Sequence, residues 1–244
     1  MRISLILIYL AALLTPLASA YADDFPKPYQ VVYTAKYNGM NVEANHALTR
    51  DAQTYRMTAV VKGMLGGTNE KEDFHLDRQG RILTDHHLAE KSVFGVASKE
   101  ELVIDKAAGK AIYTKKKKRR ELAIKPGYLG PLSYQLQLRR DLKNREDKTA
   151  ANTPLSYQVI SRGKLKNYQF EILANERIDT ALGEIETIKV RRVRKDAKRQ
   201  TVFWMAPAWN YLVVKIQQRE KDGEQYEMLL KTASIDGQTL LLPE

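Results

Sequence analysis

The sequence predicts a mainly β fold, a strongly curved antiparallel sheet or half-open β-barrel with one plugging α-helix at about residues 128–143. Three observations carry that prediction. Runs rich in β-branched and aromatic residues recur roughly every ten residues, separated by turn sequences and with no helices between them, which argues for an antiparallel sheet. Residues 184–220 form the densest such run and read as three successive strands. The single strong helical pattern has apolar residues on two opposite sides, as a helix buried on both sides would.

The elements follow in order. Tyr29, Val31, Tyr33, Ala35 and Tyr37 occupy alternate positions, the period of a half-buried strand. Asn38-Gly39 comes next, a strong hairpin signal because both turn residues must accept positive φ. Val42, Ala44, His46 and Leu48 alternate back. A third strand spans 55–62 and ends at Gly63-Met64-Leu65-Gly66-Gly67. Two apolar side chains among three glycines have two readings: a bulge or barrel corner that folds Met64 and Leu65 inward, or a protruding tip that touches a membrane or a partner. Further strands fit 71–76, 82–91, 99–105 and 111–124, with turns at Asp77-Arg78-Gln79-Gly80 and Lys106-Ala107-Ala108-Gly109.

Lys125-Pro126-Gly127 breaks the sheet, and the helix is expected over 128–143 with Pro131 in its first turn. At 100° per residue Leu129, Leu132 and Leu136 lie on one side, with Tyr134, Leu138 and Leu142 nearly opposite. A helix plugging the mouth of a curved sheet buries both. Strands resume at 155–160 and 167–174 around a Ser161-Arg162-Gly163-Lys164 turn. In the dense run a strand ending at Val193 leads through a polar turn at 195–198 to a strand at 201–205. A turn at Pro207-Ala208-Trp209-Asn210 and a strand at 211–217 follow, and after Asp222-Gly223 residues 225–235 close the sheet.

Residues 1–22 read as a secretory signal peptide: Arg2, an apolar run from Ile3 to Leu14, Pro16, then small residues at Ala18, Ala20 and Ala22. The apolar run is shorter than the ~20 residues that span a bilayer. Residues 23–244 are expected to form one all-β domain in the periplasm. No cysteine occurs, so no disulfide, thiol nucleophile, cysteine–metal site or acylated cysteine is expected. The net charge is +11 and the isoelectric point about 9.6. Behind a signal peptide that charge points to lipid, lipopolysaccharide or acidic polysaccharide, with peripheral membrane contact, and away from nucleic acid.

The chemistry-bearing residues give no catalytic set. Adjacent His86 and His87 point to opposite faces of a strand and cannot share a metal, and His46 and His75 stand apart in sequence. There is no Gly-x-Ser-x-Gly elbow, phosphate-binding loop or dinucleotide fingerprint, and no cofactor is expected. Lys115, Lys116, Lys117, Lys118, Arg119 and Arg120 form the strongest charge feature. They either guard an exposed sheet edge or make an anion-docking ridge, joined by Arg191, Arg192 and Arg194. Trp204, Trp209 and Tyr211 read either as core or a strand-end cluster or, with Tyr128, Leu132 and Leu136, as candidates for lining an apolar pocket in the concave face.

Gly183, the Thr187 to Val190 strand, Phe203-Trp204, the Pro207-x-x-Asn210 turn and the Val213 to Ile216 strand together resemble a periplasmic family of Gram-negative bacteria known only as a domain of unknown function. The opening Tyr29-x-Val31-x-Tyr33 and the Leu132-Ser133-Tyr134-x-Leu136 segment, running on to Arg139 and Asp141, fit that family too. Val213 stands where members often carry proline. The resemblance implies a fold similar to the half-barrels of the lipoprotein carriers LolA and LolB, and it supplies no catalytic residues. The expected function is non-enzymatic binding of an amphiphilic or apolar envelope molecule in the concave face. The alternatives are an envelope-docking module acting through the basic ridge and a hydrolase of envelope polymer, which would need a carboxylate or His–carboxylate pair converging in the pocket.

Overall fold

The computed structural model describes residues 25–241 apart from 38, 39, 64, 65, 126, 146–152, 195 and 197. The strands of the first half are β1 (Tyr29–Tyr37), β2 (Met40–Asp51), β3 (Thr54–Gly63), β4 (Gly66–Leu76), β5 (Ile82–Val93), β6 (Val96–Asp105), β7 (Lys110–Lys115) and β8 (Lys118–Ala123). After helix α1 (Tyr134–Lys143) come β9 (Leu155–Ser161), β10 (Lys164–Thr180), β11 (Gly183–Val193), β12 (Gln200–Ala206), β13 (Leu212–Arg219), β14 (Gln225–Ile235) and the short β15 (Gln238–Thr239). All belong to one sheet ordered β8-β7-β6-β5-β4-β3-β2-β1-β14-β13-β12-β11-β10-β9, with β15 beside β14.

Every neighbouring pair is antiparallel, and the one non-sequential junction is β1 with β14, where Tyr29 pairs with Ile235 and Lys36 with Glu227. That register fixes which connections share an end. The β1–β2, β3–β4, β5–β6, β7–β8, β9–β10, β11–β12 and β13–β14 connections all emerge at one end of the sheet, and the others at the opposite end.

The sheet does not close through backbone, yet it rolls far enough for its two ends to meet. Ile160 of β9 packs with Leu102, Ala111 and Tyr113 of β6 and β7 in a small cluster of its own. A Cβ on Gly163, in the β9–β10 turn, would fall 2.5 Å from the Tyr113 ring. Just before the helix, Leu129 forms a parallel bridge to Val159, its N–H donating to Gln158 O and its carbonyl accepting from Ile160 N, both at 2.9 Å. The architecture is therefore the curved, half-open antiparallel sheet with one helix that the patterning predicts.

Two element boundaries differ from the sequence reading. The helix begins at Tyr134, six residues beyond the expected start, because the residues before it are drawn into the edge bridge at Leu129 and into a tight approach at Gly130. The expected strand over 111–124 is a hairpin, β7 and β8, turned at Lys116-Lys117 with Lys116 at φ 52°. A two-residue turn exposes three consecutive lysines, Lys116 to Lys118, where a continuous strand would alternate them between faces. Both expected apolar sides of α1 are buried: Leu129, Leu132, Leu136, Leu138 and Leu142 all lie in the main core, with Tyr134 packed against it. The helix reaches the closed end of the roll, where Arg140 Nη1 donates to Gly80 O at 2.7 Å and Arg139 Nε to Asn210 O at 3.1 Å.

Candidate functional site

Residues paired across neighbouring strands share a face of the sheet, so the concave surface can be read row by row. One row runs Tyr29, Leu48, Met57, Glu72, His87, Leu102, Tyr113 and is buried throughout. The next row toward the open end runs Val31, His46, Ala59, Glu70, Ala89, Glu100, Lys115. The concave face thus changes from apolar, where α1 covers it, to polar along β4–β7. There the β9–β10 hairpin stands over it and leaves a cleft of about 390 Å3, lined by Thr68, Glu70, His87, Glu100, Tyr113, Lys115, Ser161 and Arg162 among others.

Inside the cleft Tyr113 donates to Glu100 Oε2 at 2.6 Å, and Lys115 pairs with the same carboxylate. Burial, reinforced by Glu100, pushes the Tyr113 hydroxyl up to about 12. Burial opposes ionisation of Glu100, but Lys115 and Tyr113 outweigh it and hold the carboxyl below its usual range. His87 Nε2 lies 3.4 Å from Glu70 Oε2.

Beside the cleft the β10–β11 side of the concave face is strongly cationic. Arg192 stacks over Tyr168, its guanidinium carbon 3.2 Å from the ring centroid. Arg194 Nη2 donates to Thr201 Oγ1 at 3.0 Å, and Lys166 Nζ lies 3.5 Å from Ser161 Oγ. Burial, with Arg192 and Arg199 adding to it, lowers the pKa of Arg194. Burial likewise lowers that of Lys166, with Arg162, Arg192 and Lys164 as neighbouring cations. Among the described residues none of Arg162, Lys166, Arg192 and Arg194 forms an ion pair, and the buried Nε atoms of Arg192 and Arg194 have no hydrogen-bond acceptor. Their neighbours differ. Arg191 pairs with Glu171 on the other face, and Arg199 with Glu220 at 2.6 Å. Tyr134 stacks on Phe170 with ring centroids 5.9 Å apart and meets Tyr168 edge-on at 5.3 Å, so aromatic surface borders the cations.

A second polar group was not visible in the sequence. Glu72 is fully buried at the entrance to α1, where its Oε2 accepts from Leu132 N at 2.6 Å and Ser133 N at 3.3 Å, and its Oε1 from Thr84 Oγ1 at 3.1 Å. Burial raises its carboxyl pKa, partly countered by these hydrogen bonds and by His87. The carboxylate takes the place of a capping side chain at the helix N-terminus, satisfying N–H groups that have no partner inside the helix. Nothing in its local sequence distinguishes Glu72 from the solvated carboxylates around it.

The residues expected to line a ligand pocket fall elsewhere. Leu132, Leu136, Trp204, Trp209 and Tyr211 are core side chains, and Tyr128 packs against the Ile160 cluster. None of the six lines the cleft: Leu132 ahead of the helix and Leu136 within it, and Trp209 and Tyr211 at the β12–β13 connection, pack in the core instead. Trp204 faces away from Phe203, with Lys189 Nζ 4.9 Å and Lys215 Nζ 5.2 Å from its ring. Met64 and Leu65 lie outside the described residues. The basic run is split: Lys115 points into the cleft, Lys116 to Lys118 form the β7–β8 turn, Arg119 pairs with Glu121 at 2.8 Å, and exposed Arg120 lies on β8, an edge strand of the sheet. His86 and His87 do point to opposite faces, with His86 Nε2 2.9 Å from Glu101 Oε1. Among the described residues no cluster of three or more His, Asp or Glu has the arrangement to hold a metal ion, and no helix is long and apolar enough to cross a membrane.

The family described as a protein of unknown function, DUF3108, matches residues 32–231. The chain belongs to that family. The match spans the sheet from β1 to β14 and includes α1, the cleft and the cationic cluster, so all of these are features of a DUF3108 domain. No curated protein matches the sequence. Similar solved structures include a "putative lipoprotein" of Parabacteroides distasonis ATCC 8503, at 14% identity and TM-score 0.31, covering 86% of this chain and 98% of that one. Another is a "putative exported protein with YmcC-like fold" of Bacteroides fragilis NCTC 9343, at 13% identity and TM-score 0.30, with the same coverage.

Proposed function

We propose that this DUF3108 protein is a non-enzymatic periplasmic binding protein that holds an amphiphilic envelope molecule at the open end of its concave face. The observation that carries the proposal is the unpaired cationic cluster of Arg162, Lys166, Arg192 and Arg194. Lys166, Arg192 and Arg194 are partly buried without an ion-pair partner, which is costly, and an anionic headgroup would supply both the close charge and the missing acceptors. The aromatic edge of Tyr134 and Tyr168 suits the adjoining apolar part of such a ligand. Export rests on the apolar, small-residue-ended segment at 1–22.

The test is native mass spectrometry of protein purified gently from a periplasm, followed by organic extraction, for the wild type and for R192Q/R194Q. The expected result is a copurifying anionic lipid or glycolipid whose occupancy drops at least tenfold in the double variant, since each charge-assisted hydrogen bond contributes about 1.5–3 kcal/mol. A wild-type protein that carries nothing and takes up no phosphate-headed lipid on titration would overturn it. The His87–Glu70 contact in the same cleft favours a second reading, acid–base hydrolysis of an envelope polymer. In that case H87A would abolish turnover of the polymer and leave anion binding intact.

A further inference from the structure

We infer that the rim formed by the β5–β6 and β7–β8 hairpins docks on an anionic membrane surface, with Phe94 entering the headgroup layer and the rim lysines meeting lipid phosphates. This surface adjoins the cleft, whose lining includes Lys91, but Phe94 and the Lys116–Lys118 turn lie outside it and do not depend on what the cleft binds.

Two independent observations lead here. The first is the tip of the β5–β6 hairpin. Phe94 is 74% exposed and Val96 71%, the most exposed large apolar residues of the described sheet strands and their turns. Phe94 is also at φ 49°, followed by Gly95 at φ 78°. A two-residue hairpin turn with both residues at positive φ calls for Asn-Gly, Asp-Gly or Gly-Gly. A phenylalanine there is unfavourable for the backbone and places its ring in water, so neither folding nor solubility accounts for it.

The second observation is charge placed by topology. The alternating strand directions bring the tip of β7–β8, with Lys116, Lys117 and Lys118 exposed, to the same rim as Phe94. Lys62, Lys91 and Lys99 lie exposed on the strands just below it. Among the described residues these six lysines form no ion pair. Glu43 lies cross-strand from Lys62 and Glu90 from Lys99, whereas Lys91 and the three lysines of the turn have no cross-strand acid.

An exposed aromatic and a valine on a narrow tip, surrounded by unpaired lysines, match the polarity gradient of a bilayer interface. The apolar groups reach the acyl boundary and the ammonium groups stay at the phosphates. A flat protein partner would leave such a tip protruding, and a soluble acidic polymer would use the lysines and leave the phenylalanine idle.

The test is co-sedimentation of the protein, expressed from its full sequence and purified from a periplasm, with vesicles of phosphatidylethanolamine and phosphatidylglycerol, and with phosphatidylcholine vesicles as control. Binding is expected only to the anionic vesicles and is expected to fall with salt. F94N should weaken it about tenfold, the loss of one buried aromatic side chain. The same change suits the turn, so its urea midpoint should match or exceed that of the wild type. K116Q/K117Q/K118Q should weaken binding by a further tenfold or more at low salt. The emission of F94W should gain a blue-shifted component on vesicle addition. Vesicle binding that F94N leaves unchanged, or binding to a soluble acidic polysaccharide with none to vesicles, would overturn the proposal. Loss of lipid from the cleft in R192Q/R194Q with vesicle docking intact would concern the cleft alone.

Discussion

Gly130 shows how a single position ties the helix to the sheet. A Cβ there would lie 2.1 Å from Glu72 Oε1, and the carboxylate cannot swing aside because Leu132 N and Ser133 N hold its other oxygen. His46 is the residue whose environment gives the sharpest pH signature. It is partly buried against Tyr33, ring centroids 5.2 Å apart, and burial drops its pKa to about 4 from an ordinary value of 6.5. The unfolded chain therefore takes up a proton as pH falls through 6.5, while the folded state resists until about 4. Stability is full above 6.5 and is lost between 6.5 and 4, by about 3 kcal/mol. Urea midpoints measured across that range should fall in the wild type, and H46Q should flatten the part of the curve between pH 6.5 and 4. Glu72 acts with the opposite sign. Its raised pKa means that protonation favours the fold, so acidification does not release the helix entrance.

At the scale of the element, α1 is a short helix that owes its stability to packing. It spans ten residues, begins without a side-chain cap of its own, and carries no acidic residue in its first turn. An isolated helix of that length is marginal in water. Leu136 and Leu138 are exposed by 0% and 1% and point to different sides, so each meets its own set of neighbours in the rolled sheet. L136A and L138A should each cost about 2–5 kcal/mol in urea unfolding. A helix lying on a surface would show that cost on one side only. The two-sided apolar pattern was readable in the sequence because the 3.6-residue period needs no partner to be seen. The late start of the helix was not, because it depends on Leu129 finding β9 and Gly130 finding Glu72.

Across the whole molecule, the junction of β1 with β14 turns two meanders into one rolled sheet. β14 pairs with β1 along most of its length and with β13 near its start. A chain ending at Glu224 loses both contacts and leaves β1 and β13 as unpaired edges. Such a truncation should show no cooperative unfolding transition and should be digested by limited proteolysis under conditions the full chain survives. The same roll explains the distribution of charge. A net +11 is visible in the composition, but it is the strand order that gathers Arg192, Arg194, Lys166 and Arg162 inside the open end and sets the lysine turn beside Phe94 on the rim.

Sequence pattern alone was enough to read the β class, nearly every strand, the β9–β10 and β13–β14 turns, and the helix buried on both sides, while the Asn38-Gly39 turn lies outside the described residues. These follow from period, turn chemistry and apolar patterning, all of which act within a few residues. Which polar residues matter depended on tertiary packing. Glu72 needs a helix entrance 60 residues away, and the cationic cluster forms from the β9–β10 turn, β10 and the end of β11 at the mouth of the roll. Trp209 and Tyr211, which the sequence left open between core and ligand platform, went to the core, because the closed end of a rolled sheet has to be filled and they were large enough to fill it.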